Sequence, residues 1–178
     1  MQGKGEGELS MNKTEIKRYL RELNNELKKK QIKGEICIVG GAAMCLALNA
    51  RESTKDIDAV FAPKMIIYKA AKKIAERYGL PEKWLNNGVK GFITSDMKFE
   101  ELLSFSHLRV LVARPEYLLA MKCLSSRTEV DIDDIKFLIQ VLKIKKKEDV
   151  FSILESVYPG KLIEPKVQYI IDGIFDEI

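Results

Sequence analysis

Apolar positions recur along the chain at helical spacing in some stretches and in short runs in others, and the alternation predicts the elements. Ile16, Leu20, Leu23 and Leu27 form one stripe behind Asn12 or Thr14 as a cap, so a helix is predicted to about Gln31, ended by Gly34. Ile36 to Val39 are apolar and partly β-branched, and Gly40-Gly41 cuts them off. This reads as a buried strand ending in a tight turn. Ala42 to Ala50 are strong helix formers, and Arg51 to Lys55 make a polar link. Asp56, Asp58 and Val60 then fall on one face of a second strand, with Ile57, Ala59 and Phe61 on the other. Pro63 opens a helix over Lys64 to Tyr78, carrying Ile67, Ala70, Ala71 and Ile74 on one face and Gly79 as its stop.

The pattern loosens after Gly79. Leu80 to Asn87 reads as a loop around Trp84, Phe92-Ile93 as a short strand or edge, and Phe99 to Leu103 fits either type of element. Leu108 to Val112 is a strand, and Pro115 begins a chain that is helical to its end. Helices are predicted over Tyr117 to Ser125, from an Asp131 cap to Leu142, over Asp149 to Val157 before Pro159-Gly160, and over Lys166 to Phe175. The fold class is therefore α/β (α+β): a mixed β-sheet flanked by helices, followed by a C-terminal helical region. Residues 1–11 read as a flexible Gly-rich tail, 12–114 as the sheet-containing body and 115–178 as the helical region packed on it.

Composition narrows this only a little. With 178 residues, 46% hydrophobic and 31% charged, the chain has the make-up of a globular protein, and no apolar run is long enough for a membrane span. The opening residues lack the apolar core of a signal peptide. Cys37, Cys45 and Cys123 are odd in number, lie in apolar segments and lack zinc-ligand spacing, which implies small core residues of a reduced, cytoplasmic protein. A net charge of +4 permits a nucleotide or nucleic-acid partner without requiring one. Lys28-Lys29-Lys30 and Lys145-Lys146-Lys147 read as solvated helix ends.

The chemistry concentrates between Ile36 and Phe61. A strand–Gly-Gly–helix turn offers bare backbone N–H groups to an anion. Two carboxylates side by side on the next strand repel each other, and a cation between them is the simplest relief. A phosphate cradle beside a carboxylate pair is what metal-assisted phosphoryl transfer requires. Each feature also has a plainer reading: a turn that needs positive φ for Gly40-Gly41, and a solvated strand end for Asp56 and Asp58. His107, the only histidine, reads as structural or surface. Met44, Met65 and Met121 read as core fillers. Trp84 reads as a loop anchor, with base stacking as the alternative.

Gly40-Gly41 followed by Asp56-Ile57-Asp58 resembles the signature of the polymerase-β-like nucleotidyltransferase superfamily, and most closely its small prokaryotic members related to AbiEii-like toxin proteins. The link from Arg51 to Lys55 and the stretch Trp84-Leu85-Asn86 are similar to the same group. So is Pro115-Glu116-Tyr117-Leu118-Leu119-Ala120-Met121-Lys122 followed by Arg127 and Asp131-Ile132-Asp133-Asp134. The resemblance implies a nucleotidyltransferase-like palm and transfer of a nucleotide from an NTP to an acceptor hydroxyl. Asp56 and Asp58 would be catalytic ligands of Mg²⁺ or Mn²⁺, and Gly40 and Gly41 the phosphate turn. Ser53 and Lys55 would touch the nucleotide, Lys122 would reach it from the helical region, and Asp131 and Asp134 would position it. It also implies a nucleoside triphosphate as substrate, with RNA (a tRNA end among others), a protein or a small molecule as acceptor. A toxin–antitoxin setting with a cognate antitoxin is a further implication.

Two alternatives stay open beside the resemblance. Lys122 has a plain reading as a surface side chain snorkelling from its helix, Asp131 as the N-cap of the helix that follows, and Asp134 as a first-turn acid. The superfamily's third carboxylate lies on a later strand, yet Leu108 to Val112 carries no acid. Asp96, Glu100, Glu101 or an acid between Asp131 and Asp134 would have to replace it. Otherwise the site holds fewer metals, or the protein keeps the fold as a catalytically silent binding or regulatory module.

Overall fold

A computed structural model describes residues 9–126 and 129–177. In order, the elements are β1 (Met11–Asn12), α1 (Lys13–Lys29), β2 (Gly34–Val39), α2 (Gly40–Leu46), β3 (Ser53–Thr54), β4 (Ile57–Ala62), α3 (Lys64–Tyr78) and β5 (Leu85–Asn86). A 3-10 turn (Gly88–Phe92), β6 (Phe99–Ser104), β7 (Leu108–Ala113), α4 (Pro115–Ser125), α5 (Glu129–Val141), α6 (Lys147–Val157) and α7 (Pro165–Asp176) follow. The chain divides into two compact units, Met1–Gly91 with Phe99–Val112, and Phe92–Lys98 with Ala113–Ile178.

The first unit is built on a five-stranded mixed sheet of order β5-β4-β2-β7-β6. β2 is central and runs antiparallel to β4 and parallel to β7, while β5 adds parallel to the outer edge of β4. The expected alternation holds on β4: Ile57 and Ala59 are buried, whereas Asp58 and Val60 are partly exposed. α1 starts with a full capping box. The Asn12 side chain accepts from Glu15 N–H and the Glu15 carboxylate accepts from Asn12 N–H, so two otherwise unsatisfied donors are paired. Its stripe, Ile16, Leu20, Leu23 and Leu27, is completely buried. α1 and α3 meet over Gly34, where an added Cβ would lie 2.9 Å from Leu27 and 3.2 Å from Ile67. α3 matches its predicted limits and closes on Gly79 at φ +66°. Trp84 is buried and its Nε1–H donates to the Ala71 carbonyl at 2.9 Å, so it anchors the loop to the core and has no free face for stacking on a base.

The second unit packs α4 against α5 and α6, and α6 against α7. Its core comprises Leu118, Leu119, Leu138, Ile139, Leu154 and Ile171. The Tyr158 hydroxyl donates to the Phe92 carbonyl at 2.8 Å, tying Phe92–Lys98 into this unit, and burial pushes that phenol up to about 12.

Several expectations need correction. Phe92 ends a 3-10 turn and Ile93 is in no strand, since the Gly-containing segment before them folds back on itself through Lys90 N–H to Asn87 C=O. α2 stops at Leu46, short of Ala50. Met65 is 63% exposed on the outer side of α3 and fills no core, whereas Met44 and Met121 are buried. α5 begins at Glu129, so Asp131 lies inside its first turn and is not a cap, and Asp134 lies a turn further in. Met11 is buried and pairs with Thr54, which places the last tail residue in the body of the first unit. Residues 1–8 of the predicted tail, and Arg127, lie outside the described residues. Among the described residues no helix is long and apolar enough to cross a membrane.

Candidate active site

β2 runs apolar to Val39 and then meets two glycines with different tasks. Gly40 takes φ +64°, which turns the chain sharply into α2. Across the sheet, Val39 is the register partner of Asp58. The Asp58 carboxylate therefore lies at the turn, and a Cβ on Gly40 would sit 3.2 Å from its Oδ2. Gly41 is closed off from another direction: a Cβ there would lie 2.9 Å from Arg51 Nη1 and 3.0 Å from Thr54 Oγ1. The absence of a side chain lets a guanidinium and a hydroxyl rest directly against the turn. α2 is only seven residues long. A long helix dipole is therefore lacking at this turn, and the cation nearest Gly41 is Arg51.

Asp56 precedes β4. Its carboxylate is approached by the Asn86 amide nitrogen at 3.4 Å, and its backbone carbonyl accepts from the Thr54 hydroxyl at 3.1 Å. Asn86 is also the register partner of Asp58, and its side-chain carbonyl accepts from Gly88 N–H at 3.1 Å, which fixes the amide's orientation. Gly40, Gly41, Asp56 and Asp58 are thus gathered at one end of the sheet. Ser53 sits on the β1–β3 ladder opposite Asn12, and Lys55 is exposed between Thr54 and Asp56.

Lys122, Asp131 and Asp134 come together in the second unit. The Lys122 ammonium lies 2.8 Å from each carboxylate, with side-chain exposures of 12% for Lys122 and 6% for Asp134. The reading of Lys122 as a snorkelling surface residue is therefore corrected: both carboxylates hold it between α4 and α5.

Two carboxylates at a phosphate turn fit a magnesium ion that shares its coordination with nucleotide phosphates, because magnesium is commonly held by one or two protein carboxylates plus phosphate oxygens and water. No third acid of the neighbouring strands lies at this end of the sheet: Glu35 of β2 pairs with Ala62, at the far end of β4. β7 has none, and β6 is three strand spacings from β4, roughly 14 Å. Glu101 is moreover bound by Arg109 at 2.8 Å, beside Glu35 at the opposite end of β2. Among the described residues no group of three or more His, Cys, Asp or Glu side chains could hold a metal. The residue next to Asp58 on the adjoining strand is the amide Asn86. Burial pushes Cys37 up to about 11 and Cys123 up to about 12, and raises Cys45 for the same reason, which favours the protonated thiol at neutral pH. The His107 backbone N–H donates to the Asn24 side-chain carbonyl at 2.8 Å, and its imidazole Nδ1 lies 2.9 Å from the Ser106 hydroxyl.

Sequence reasoning gave no specific role to Arg51, Thr54 or Asn86. Arg51 and Thr54 were visible as polar residues of the link before the carboxylates, and Asn86 as the end of the Trp84-Leu85-Asn86 stretch, but only the folded register brings them to the site. A family model described as "Nucleotidyltransferase of unknown function (DUF6036)" matches residues 15–158. Comparisons with curated proteins and with solved structures gave no match.

Proposed function

The chain belongs to this nucleotidyltransferase family, and from that premise we propose that it is a metal-dependent enzyme that moves a nucleotide from a nucleoside triphosphate to an acceptor hydroxyl and releases pyrophosphate. The observation that carries the reading is the closeness of the Asp58 carboxylate to the Gly40 turn, with Arg51 against Gly41. A carboxylate beside a phosphate turn would repel the triphosphate unless a cation lay between them. Asp56 and Asp58 would hold Mg²⁺ or Mn²⁺, which when bound would neutralise phosphate charge and favour the ionised acceptor hydroxyl. Gly40 and Gly41 would leave backbone N–H groups open to phosphate oxygens. Arg51 and Lys55 would balance charge on the leaving pyrophosphate, and the Ser53 hydroxyl would donate a hydrogen bond to its oxygens. Asn86 would hold Asp56 in place through its amide. Little covalent help is needed, because the reaction depends on aligning the acceptor with the α-phosphorus and the leaving group.

The resemblance extends the proposal to its setting. The acceptor is an RNA, a protein side chain or a small molecule, and the enzyme acts within a toxin–antitoxin module with a cognate antitoxin. A second reading, a nucleotide-binding module without turnover, is favoured by one observation: an amide, Asn86, stands where a third acid would complete the carboxylate set.

Incubating the protein with each labelled NTP, Mg²⁺ and a cell extract tests the proposal. The expected result is one labelled acceptor and pyrophosphate release, both lost in Asp58→Asn. Mg²⁺-dependent NTP binding without label transfer or pyrophosphate would establish the second reading, and no binding of any NTP would overturn both.

A further inference from the structure

A groove of about 570 Å³ opens on the first unit beside β5, walled by Tyr68, Lys69 and Lys72 of α3 and by Lys83, Asn86 and Asn87. Its size is that of a ligand site, not of a surface dimple. Lys69, Lys72 and Lys83 are exposed, and none of the three makes an ion pair among the described residues. One acid, Glu82, also lines the groove, so three cations face one anion. The wall is fixed by a hydrogen bond from the Tyr68 hydroxyl to the Asn87 side-chain carbonyl.

Its position in the sheet matters most. β4 lies between β2 and β5. Asp58 pairs in register with Val39, at the phosphate turn, on one side and with Asn86, in the groove wall, on the other. The carboxylates thus stand between a turn suited to the triphosphate and a basic groove. In-line transfer needs the leaving group and the attacking hydroxyl on opposite sides of the phosphorus. We infer that this groove is the acceptor site and that the acceptor is a single-stranded nucleic-acid end. Its terminal hydroxyl reaches the Asp56–Asp58 edge past Asn86, and its backbone phosphates lie along Lys69, Lys72 and Lys83. The inference rests on the nucleotidyltransferase reading. In the transfer step the terminal hydroxyl oxygen bonds to the α-phosphorus, the bond from that phosphorus to the bridging oxygen breaks, pyrophosphate leaves with the electron pair, and the hydroxyl proton goes to solvent. A hydroxyl on a protein side chain would need no lysine-lined groove, whereas a polyanion gains by releasing counterions at each lysine.

The test is fluorescence anisotropy with short labelled single-stranded RNA and DNA of the same sequence, titrated with salt. The wild type should bind, and Lys69→Gln/Lys72→Gln/Lys83→Gln should bind roughly 10-fold or more weakly, with a salt slope smaller by about 2. A Lys145→Gln/Lys146→Gln variant, which removes charge outside the groove, should bind like the wild type. The RNA and DNA arms decide which sugar the site takes. Absence of binding to both, equal binding by the groove variant, or preference for an acidic polyglutamate peptide would overturn the inference. NTP binding by the groove variant, measured separately, should match the wild type. An acceptor failure with NTP binding intact would then refute only the groove, whereas loss of NTP binding in the wild type would refute the underlying reading.

Discussion

Gly40 and Gly41 answer to different constraints, and a single methyl group separates them. At Gly40 the cost is conformational, because φ +64° disfavours any L side chain by about 1–2 kcal/mol, and the new Cβ also crowds Asp58. At Gly41 the cost is spatial, since Arg51 and Thr54 already fill the place of a Cβ. Gly40→Ala should therefore lower stability by about that amount in urea titrations and displace Asp58, weakening nucleotide binding at the same time. Lys122 gives a second residue-level prediction. Nearly buried between Asp131 and Asp134, it is a cation shared by two neighbouring carboxylates, so Lys122→Met should cost about 3 kcal/mol. Combining it with Asp134→Asn should cost less than the sum of the two single changes, and equal, additive losses would show that the pair is not coupled. The alternation that placed Asp58 opposite Ile57 was legible from the chain, because period two is a local property of a strand. The burial of Lys122 was not, since a helical lysine reads the same whether its neighbours are water or two carboxylates.

Among the elements, those with a strong local signal were recognised and those held by partners were not. α3 has Pro63 before it, a repeating apolar face and Gly79 after it, and its ends are where those residues put them. β1, β3 and β5 have two residues each and carry no periodicity of their own. They exist because Met11–Asn12 pairs with Ser53–Thr54 and Leu85–Asn86 pairs with β4. From the chain alone β5 reads as loop, and the pairing that brings Asn86 beside Asp58 leaves no local signal. The α1–α3 packing makes a pH prediction. Glu26 on α1 is buried beside Lys29 and reaches Lys73 and Arg77 on α3. The Lys29 hydrogen bond holds its carboxyl below the usual carboxylate range, against the opposing effect of burial. A depressed folded-state value stabilises the fold fully above the unfolded carboxylate value and is lost as pH falls through the folded one. Glu26→Gln should then be less stable than the wild type at neutral pH and nearly equal to it at acid pH. Urea midpoints across pH 2–7 measure this, and a constant difference would contradict it.

At the scale of the molecule, the sheet order explains why a short stretch between Ile36 and Phe61 commands the chemistry. An antiparallel β2–β4 pair returns the chain so that the end of one strand meets the start of the next, and Gly40 faces Asp58 without any long-range coincidence. That much was readable, as was the mixed fold with a helical C-terminal region. The third member of the carboxylate set was sought on Leu108 to Val112 because that run looked like the next strand in line. The topology puts β7 on the far side of β2 and gives the place beside Asp58 to β5. Strand order depends on crossovers, which a linear pattern does not encode. The central claim is that Asp56 and Asp58 bind a nucleotide through a divalent cation at the Gly40-Gly41 turn. Calorimetric titration of each NTP into the wild type and an Asp56→Asn/Asp58→Asn variant, with Mg²⁺ and with chelator, tests it most directly. Binding by the wild type that requires Mg²⁺ and is lost in the variant is the predicted result. NTP binding that is the same in both proteins and indifferent to Mg²⁺ would contradict it.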